Sequence, residues 1–286
     1  MTGPRLGAHM SIAGGMPEAI ARAKAVDATA LQVFVKSSNQ WAARPFAPGE
    51  VEAFRSAARE AGLDRYTLAH ASYLINLASP DDALWAKSID ALGVELSRCA
   101  VLEIPWLVVH PGAHVGSGAP AGIARVAGAL DRALSLAPTN GAGVLLENTA
   151  GQGSTLGSRF EDLGAILQAA RPTDRLGVCF DTCHALAAGY EFRDASAYAE
   201  TMRAFDRAVG LHRLHGFHLN DSKGDLGCRR DRHEHIGRGC VGLEAFRLIL
   251  TDPRFVGLPM VLETDKGDDL AEDRTNLAVL RSVLAR

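Results

Sequence analysis

Short apolar runs alternate with amphipathic stretches along the whole chain. Eight segments, 5–9, 30–35, 67–70, 106–110, 143–147, 177–181, 214–220 and 259–263, are nearly continuous in apolar residues and too short for helices. Such runs mark strands buried on both faces. Between them, apolar residues recur at three- and four-residue spacing over 17–26, 49–61, 81–100, 121–136, 160–170, 195–209, 243–250 and 270–284, and that spacing predicts helices. Eight strand–helix units in succession predict the α/β class and, within it, a closed parallel (β/α)8 barrel of the TIM type. No Pro- or Gly-rich linker cuts the chain, so residues 1–286 are expected to form a single domain. A barrel of this kind commonly takes about 250 residues.

At or within two residues of the ends of six strand-like runs stands a side chain read as a metal ligand: His70, His110, Glu147, Asp181, His218 and Glu263. In a parallel barrel the strand ends open onto the C-terminal face, where barrel enzymes keep their active sites. One satisfied histidine or glutamate at such a place is ordinary; six at successive strand ends predict a polynuclear metal site. His70 and His110 end neighbouring strands and can reach one ion. Glu147 can share that ion and bridge to a second, completed by Asp181, His218 and Glu263. His184, three residues beyond Asp181, is displaced along the chain and can serve a third. Asp231 and His233, two apart in DRHEH, point to the same side of an extended loop and would join it.

Imidazole and carboxylate donors suit zinc, with manganese or iron able to substitute at some sites. His235 rivals His233 on spacing alone. His9 is expected to donate a hydrogen bond to a ligand rather than to be one. His114, His212 and His215 carry no such context and are read as surface or packing histidines. Cys179 should point into the barrel and Cys183 should be a buried, inert thiol.

Composition changes this picture little. The chain is 47% hydrophobic and 22% charged, enough to bury one large core, and its formal net charge of -3 does not announce a nucleic-acid binder. Three divalent cations would nevertheless add six positive charges at one place. Five cysteines, an odd number, and an N-terminal stretch without the apolar segment of a signal peptide suggest a cytoplasmic protein with reduced thiols. No stretch is long and apolar enough to span a bilayer. The long loops 36–48, 110–120, 148–158 and 221–242 all follow strands and so converge on one face. The broad rim they make suits a polymeric substrate.

The motifs LGAHMSIAGG, HASYLINLASP, LLENTAGQGS, FDTCHALAAGY and HLNDSKGDLGCRRDRHEHIGRG resemble those of the endonuclease IV family of apurinic/apyrimidinic endonucleases, over nearly the whole chain. The resemblance implies a barrel holding three Zn2+ ions and acting as a monomer on duplex DNA that contains abasic sites. The implied reaction is hydrolysis of the phosphodiester 5′ to the abasic site, leaving a 3′-hydroxyl and a 5′-deoxyribose phosphate, with trimming of blocked 3′ ends besides. All nine family ligand positions are filled, by His70, His110, Glu147, Asp181, His184, His218, Asp231, His233 and Glu263, which favours His233 over His235. Glu147, as the bridge, is the expected catalytic residue.

Tyr73 and Leu74, just past strand three, are expected to wedge into the DNA stack. Asn39 in KSSNQW stands where the family places an arginine that enters DNA, and Arg238 in IGRG stands where an acidic or other polar residue is common. Two rival readings remain. A sugar isomerase or epimerase with a single divalent ion would use only Glu147, Asp181, His218 and Glu263. A lesion-binding protein without catalysis would be expected to have lost a ligand, and none is lost.

Overall fold

The computed structural model describes residues 3–139, 141–171 and 173–284; the outermost residues of the expected domain 1–286, with Asn140 and Pro172, lie outside the described residues. The barrel strands are β1 (Arg5–His9), β2 (Ala30–Phe34), β3 (Thr67–His70), β4 (Trp106–Val109), β5 (Gly143–Glu147), β6 (Leu176–Asp181) and β7 (Leu214–His218). The last, β10 (Pro259–Leu262), follows a small antiparallel pair, β8 (Asp221–Ser222) and β9 (His233–Glu234). The eight pair in parallel and close in the order β1-β10-β7-β6-β5-β4-β3-β2. Around them run α1 (Met16–Ala25), α2 (Glu50–Glu60), α3 (Asp82–Leu102), α4 (Ala119–Leu136), α5 (Phe160–Ala169), α6 (Thr182–Ala188), α7 (Ala195–Ala208), α8 (Leu243–Thr251) and α9 (Ala271–Val283).

The expected strands and helices are all present, with boundary shifts of a few residues. Helix α6 and the strands β8 and β9 escape the apolar pattern. Helix α6 is seven residues long, shorter than any periodicity can show, and is built from its caps: Asp181 Oδ1 accepts from His184 N at 2.6 Å, and Gly189 takes the left-handed conformation at φ 105°. The β8–β9 pair has two residues per strand within loop 221–242.

The strand pleat sorts the barrel into two cores. Outward residues such as Ala69, Leu146, Phe180, Phe217 and Leu262 pack against the helices. Inward, Ala30, Leu68, Val108, Leu145, Cys179 and Val261 form a separate buried apolar layer. Each large side chain of these cores contributes about 1.5–3 kcal/mol by leaving water. Two residues further along the same strands, and therefore on the same inner face, come Gln32, His70, His110, Glu147, Asp181 and Glu263. Gly7 and Gly216 hold the corresponding places before His9 and His218. A Cβ on Gly7 would stand 1.8 Å from the Ala30 carbonyl oxygen, so only glycine lets β1 and β2 approach as they do.

Candidate metal centre

The side chains above the apolar layer gather into groups of possible ligands, three of which are the sets that the strand ends and the loop residues His184, Asp231 and His233 predict. His70, His110 and Glu147 form one, Glu147, Asp181, His218 and Glu263 a second, and His184, Asp231 and His233 a third; within each, the donor atoms lie within 4.8 Å of one another. Glu147 belongs to two of them and faces each with a different oxygen. Its Oε2 lies 2.9 Å from His110 Nε2 and 3.2 Å from His70 Nε2. Its Oε1 lies 2.9 Å from His218 Nδ1. In the third cluster Asp231 Oδ1 stands 3.1 Å from His184 Nε2 and 3.2 Å from His233 Nε2.

Backbone carbonyls decide which ring nitrogens carry protons. His70 Nδ1 donates to Ala71 O at 2.8 Å, His184 Nδ1 to Asn148 O at 2.9 Å, and His233 Nδ1 to Glu263 O at 3.2 Å. A carbonyl can only accept, so in the neutral rings each Nε2 holds the lone pair and turns it into the cluster. His218 is fixed the other way round. Gln32 Nε2 donates to Glu263 Oε1 at 2.6 Å, which leaves Gln32 Oε1 to accept from His218 Nε2 at 2.8 Å. The lone pair of His218 Nδ1 then faces Glu147, Glu263 Oε2 at 3.1 Å and Asp181 Oδ2 at 3.9 Å. A lone pair among three carboxylates needs a cation between them.

The third cluster makes the same point. The Nε2 atoms of His184 and His233 are buried and have no hydrogen-bond partner among the described residues, although Asp231 Oδ1 is close to both. Nitrogen and oxygen approach without hydrogen-bond geometry, as ligands do around a shared ion. The donor set therefore fits metal ions.

Electrostatics agree. Burial pushes Glu147 up, but His218, His110 and His184 more than reverse this and hold its carboxyl well below the usual range. Burial pushes His184 and His218 down, yet Asp181, Asp231 and Glu147 around the first, and Cys179, Glu263 and Glu147 around the second, keep both imidazoles well above their ordinary value. His233 is carried up to about 9 against its burial, chiefly by Asp231 and Asp181. The clusters demand positive charge at their centres, which protons supply only in competition with a metal.

Several polar side chains, buried except for Gln152, hold the ligands, and the apolar pattern did not announce them. Asn148 Oδ1 accepts from Asp181 N at 2.7 Å, and its Nδ2 donates to Asp181 O at 3.0 Å. Asn220 Nδ2 donates to Asp181 Oδ2 at 2.7 Å and its Oδ1 accepts from Glu263 N at 2.8 Å. Gln152 Oε1 accepts from Asp231 N. Asp221, fully buried, accepts from the backbone N–H groups of Ser222, Gly237, Gly239 and Val241 and so pins the loop that carries Asp231 and His233. For Gln32 a signal was available: it is the one polar residue in the strand ALQVF, at an inward position.

The remaining expectations sort as follows. His235 turns towards α9, with Nδ1 3.1 Å from Asn276 Nδ2, and is in none of the clusters. His9 approaches Glu263 through Gln32: its Nδ1 accepts from Gln32 Nε2 at 3.0 Å and lies 3.7 Å from Glu263 Oε1. Cys183 is buried, with its thiol pushed up to about 12 by burial, although its Sγ also lies near Asp181 and His233. Tyr73 is 65% exposed and meets Phe34 edge-on at 5.5 Å and His70 at 5.9 Å, at the lip of the site. Leu74 is half-buried, and Asn39 and Arg238 are exposed. A cavity of about 310 Å³ lined by His70, Tyr73, Asn76, His110, Gln152 and Asp231, among others, opens beside the clusters.

The family model described as Xylose isomerase-like TIM barrel matches residues 20–283. A protein of Chloroflexus aurantiacus named probable endonuclease 4 is 53% identical over 281 residues, covering 98% of either chain. The chain belongs to the endonuclease IV family. The crystal structure of endonuclease IV from Thermus thermophilus superposes with a TM-score of 0.87 at 41% identity, over 99% of both chains. A D-tagatose 3-epimerase-like protein superposes with a TM-score of 0.71 at 18% identity, which shows the shared barrel alone. In this endonuclease IV member, the five donors beyond the four that a single-ion isomerase would need, His70, His110, His184, Asp231 and His233, are all gathered at the same mouth.

Proposed function

We propose that this endonuclease IV member is a zinc-dependent apurinic/apyrimidinic endonuclease. It hydrolyses the phosphodiester 5′ to an abasic site in duplex DNA, leaving a 3′-hydroxyl and a 5′-deoxyribose phosphate, and it trims blocked 3′ ends with the same site. The observation that carries the reading is the sharing of Glu147 between two clusters with a third beside them. A sugar isomerase has no use for that arrangement, and the probable endonuclease 4 relatives support the DNA substrate.

His70, His110 and Glu147 would hold one ion, Glu147, Asp181, His218 and Glu263 a second, and His184, Asp231 and His233 a third. Zinc bound there supplies Lewis acidity, enough to bring the pKa of water to about 7 and to polarise a phosphoryl oxygen. The residues supply the rest. Glu147, one oxygen to each side, fixes the spacing of the first two clusters. The Ala71, Asn148 and Glu263 carbonyls and the Gln32 amide hold the imidazoles of His70, His184, His233 and His218 in the tautomers that present a lone pair. Four carboxylates against three divalent ions leave a positive site at a mouth where a phosphate must enter. Tyr73, Leu74 and Asn39 stand on the rim, where they would meet the duplex and fill the gap that a displaced abasic nucleotide leaves. The five free cysteines suit a reducing cytosol.

The test is metal analysis of carefully purified protein together with incision of a duplex carrying one abasic site. Close to three ions per chain, mostly zinc, and a cut on the 5′ side are expected. Full activity with a single ion, or no incision at all, overturns the reading.

A further inference from the structure

Helix α3 turns an apolar face to the barrel through Ile89, Leu92, Leu96 and Cys99, and in the middle of that face it buries a carboxylate. The Glu95 side chain is 1% exposed and pairs at 3.3 Å with Lys36, 2% exposed. Lys36 Nζ also donates to Ser37 O at 3.2 Å and Gln40 O at 2.6 Å, so all three of its donors are used. These two carbonyls bracket Asn39 in the loop after β2. Glu95 in turn accepts from Ser72 N at 3.2 Å and 3.3 Å through its two oxygens, in the loop after β3 that carries Tyr73 and Leu74. Ser72 Oγ closes the ring by donating to Ser38 O at 2.6 Å. One turn along α3, Arg98 holds the ends of the first loop, donating to Val35 O at 2.6 Å and Arg44 O at 2.9 Å.

An ion pair this deep is weak support for stability. Desolvating two charges costs several kcal/mol each, and an apolar pair of similar volume commonly holds as well or better. What an apolar pair cannot do is bind the loop carbonyls of Ser37 and Gln40 and the Ser72 amide from one fixed point. Resting on the endonuclease reading above, we propose that Lys36 and Glu95 are positioning residues for lesion recognition. Together they set the height of the Asn39 loop against the Tyr73–Leu74 loop, so that both reach the duplex in one register.

A double-mutant comparison tests this. Lys36→Met and Glu95→Gln each leave one buried charge unpaired, and both should lower the Tm. The combined Lys36→Met/Glu95→Gln variant leaves none, and should recover most of it. The readouts are Tm, metal content, and kcat and KM on duplex with one abasic site. In the combined variant, metal content and kcat should stay near wild type while KM rises about tenfold or more, the scale of a rim displaced by a fraction of an ångström to an ångström. Ser72→Ala, which removes the Oγ link to Ser38 together with the bond that the same Oγ accepts from Leu74 N at 3.3 Å, should raise KM in the same direction with little change in Tm, and serves if the combined variant folds poorly. Wild-type KM in the combined variant, or in Ser72→Ala where the combined variant folds poorly, overturns the proposal. So does a KM that merely follows the loss of Tm across the set. Failure of the wild-type protein itself to incise abasic duplex overturns instead the functional reading on which the proposal rests.

Discussion

His218 Nε2 donates a 2.8 Å hydrogen bond to Gln32 Oε1, and in the neutral ring that bond makes Nδ1 the lone-pair atom opposite Glu147, Asp181 and Glu263. A neutral amide on β2 thus prepares a ligand on β7, across the barrel mouth.

Gln32→Leu keeps the volume and removes the acceptor, so His218 can take the other tautomer. Such partners of a metal-binding histidine are worth about 10- to 100-fold in metal affinity. The affinity of the Glu147–Asp181–His218–Glu263 cluster should fall by that factor, measured by competition with a chelator. Unchanged affinity would mean that the carboxylates alone set the ring.

Glu147→Gln removes one charge and the bridge together, at a position above the apolar layer. Incision of abasic duplex should be nearly abolished while the circular dichroism of the barrel is retained. A rate close to wild type would show that hydrolysis does not depend on the shared carboxylate.

Asp221 accepts four backbone hydrogen bonds from the loop that carries Asp231 and His233. Bonds to a charged group contribute about 1.5–3 kcal/mol each, so Asp221→Ala should free that loop while leaving the strand-end ligands in place. The expected result is selective loss of the ion nearest His184, from about three bound ions to about two. Retention of all three would show that the loop is held by other contacts.

Tyr73→Ala should weaken binding to abasic duplex by about 1–3 kcal/mol, the scale of one lost base–aromatic stack. Metal content should not change, and Asn39→Arg should tighten binding or leave it as it is. Titrations against abasic and intact duplex at one fixed salt concentration measure this. Equal affinity of wild type and Tyr73→Ala for abasic duplex would place the wedge elsewhere on the rim.

The barrel was legible because strand and helix carry different apolar periods, and the clusters were legible because chemistry interrupts the apolar period at fixed places. Asp181 and Glu263 stand out as charges at the end of runs that have no other. Helix α6 and the β8–β9 pair were not, since elements of seven and two residues are too short to show a period. Nor were Asn148, Asn220 and Asp221. Each stands beside other polar residues at or just past the end of an apolar run, and only the fold shows that it is buried and what it holds. Lys36 and Glu95 lie 59 positions apart, and nothing in the local pattern joins them.

Beneath the ligands the barrel is closed by the layer of Ala30, Leu68, Val108, Leu145, Cys179 and Val261. Its six side chains are fully buried and apolar, which makes a dry floor beneath the ligands, so metals are expected to enter and leave by the same mouth that receives DNA. A bound duplex then acts as a stopper: chelator should strip the free protein readily and the DNA complex slowly, at a rate set by DNA release.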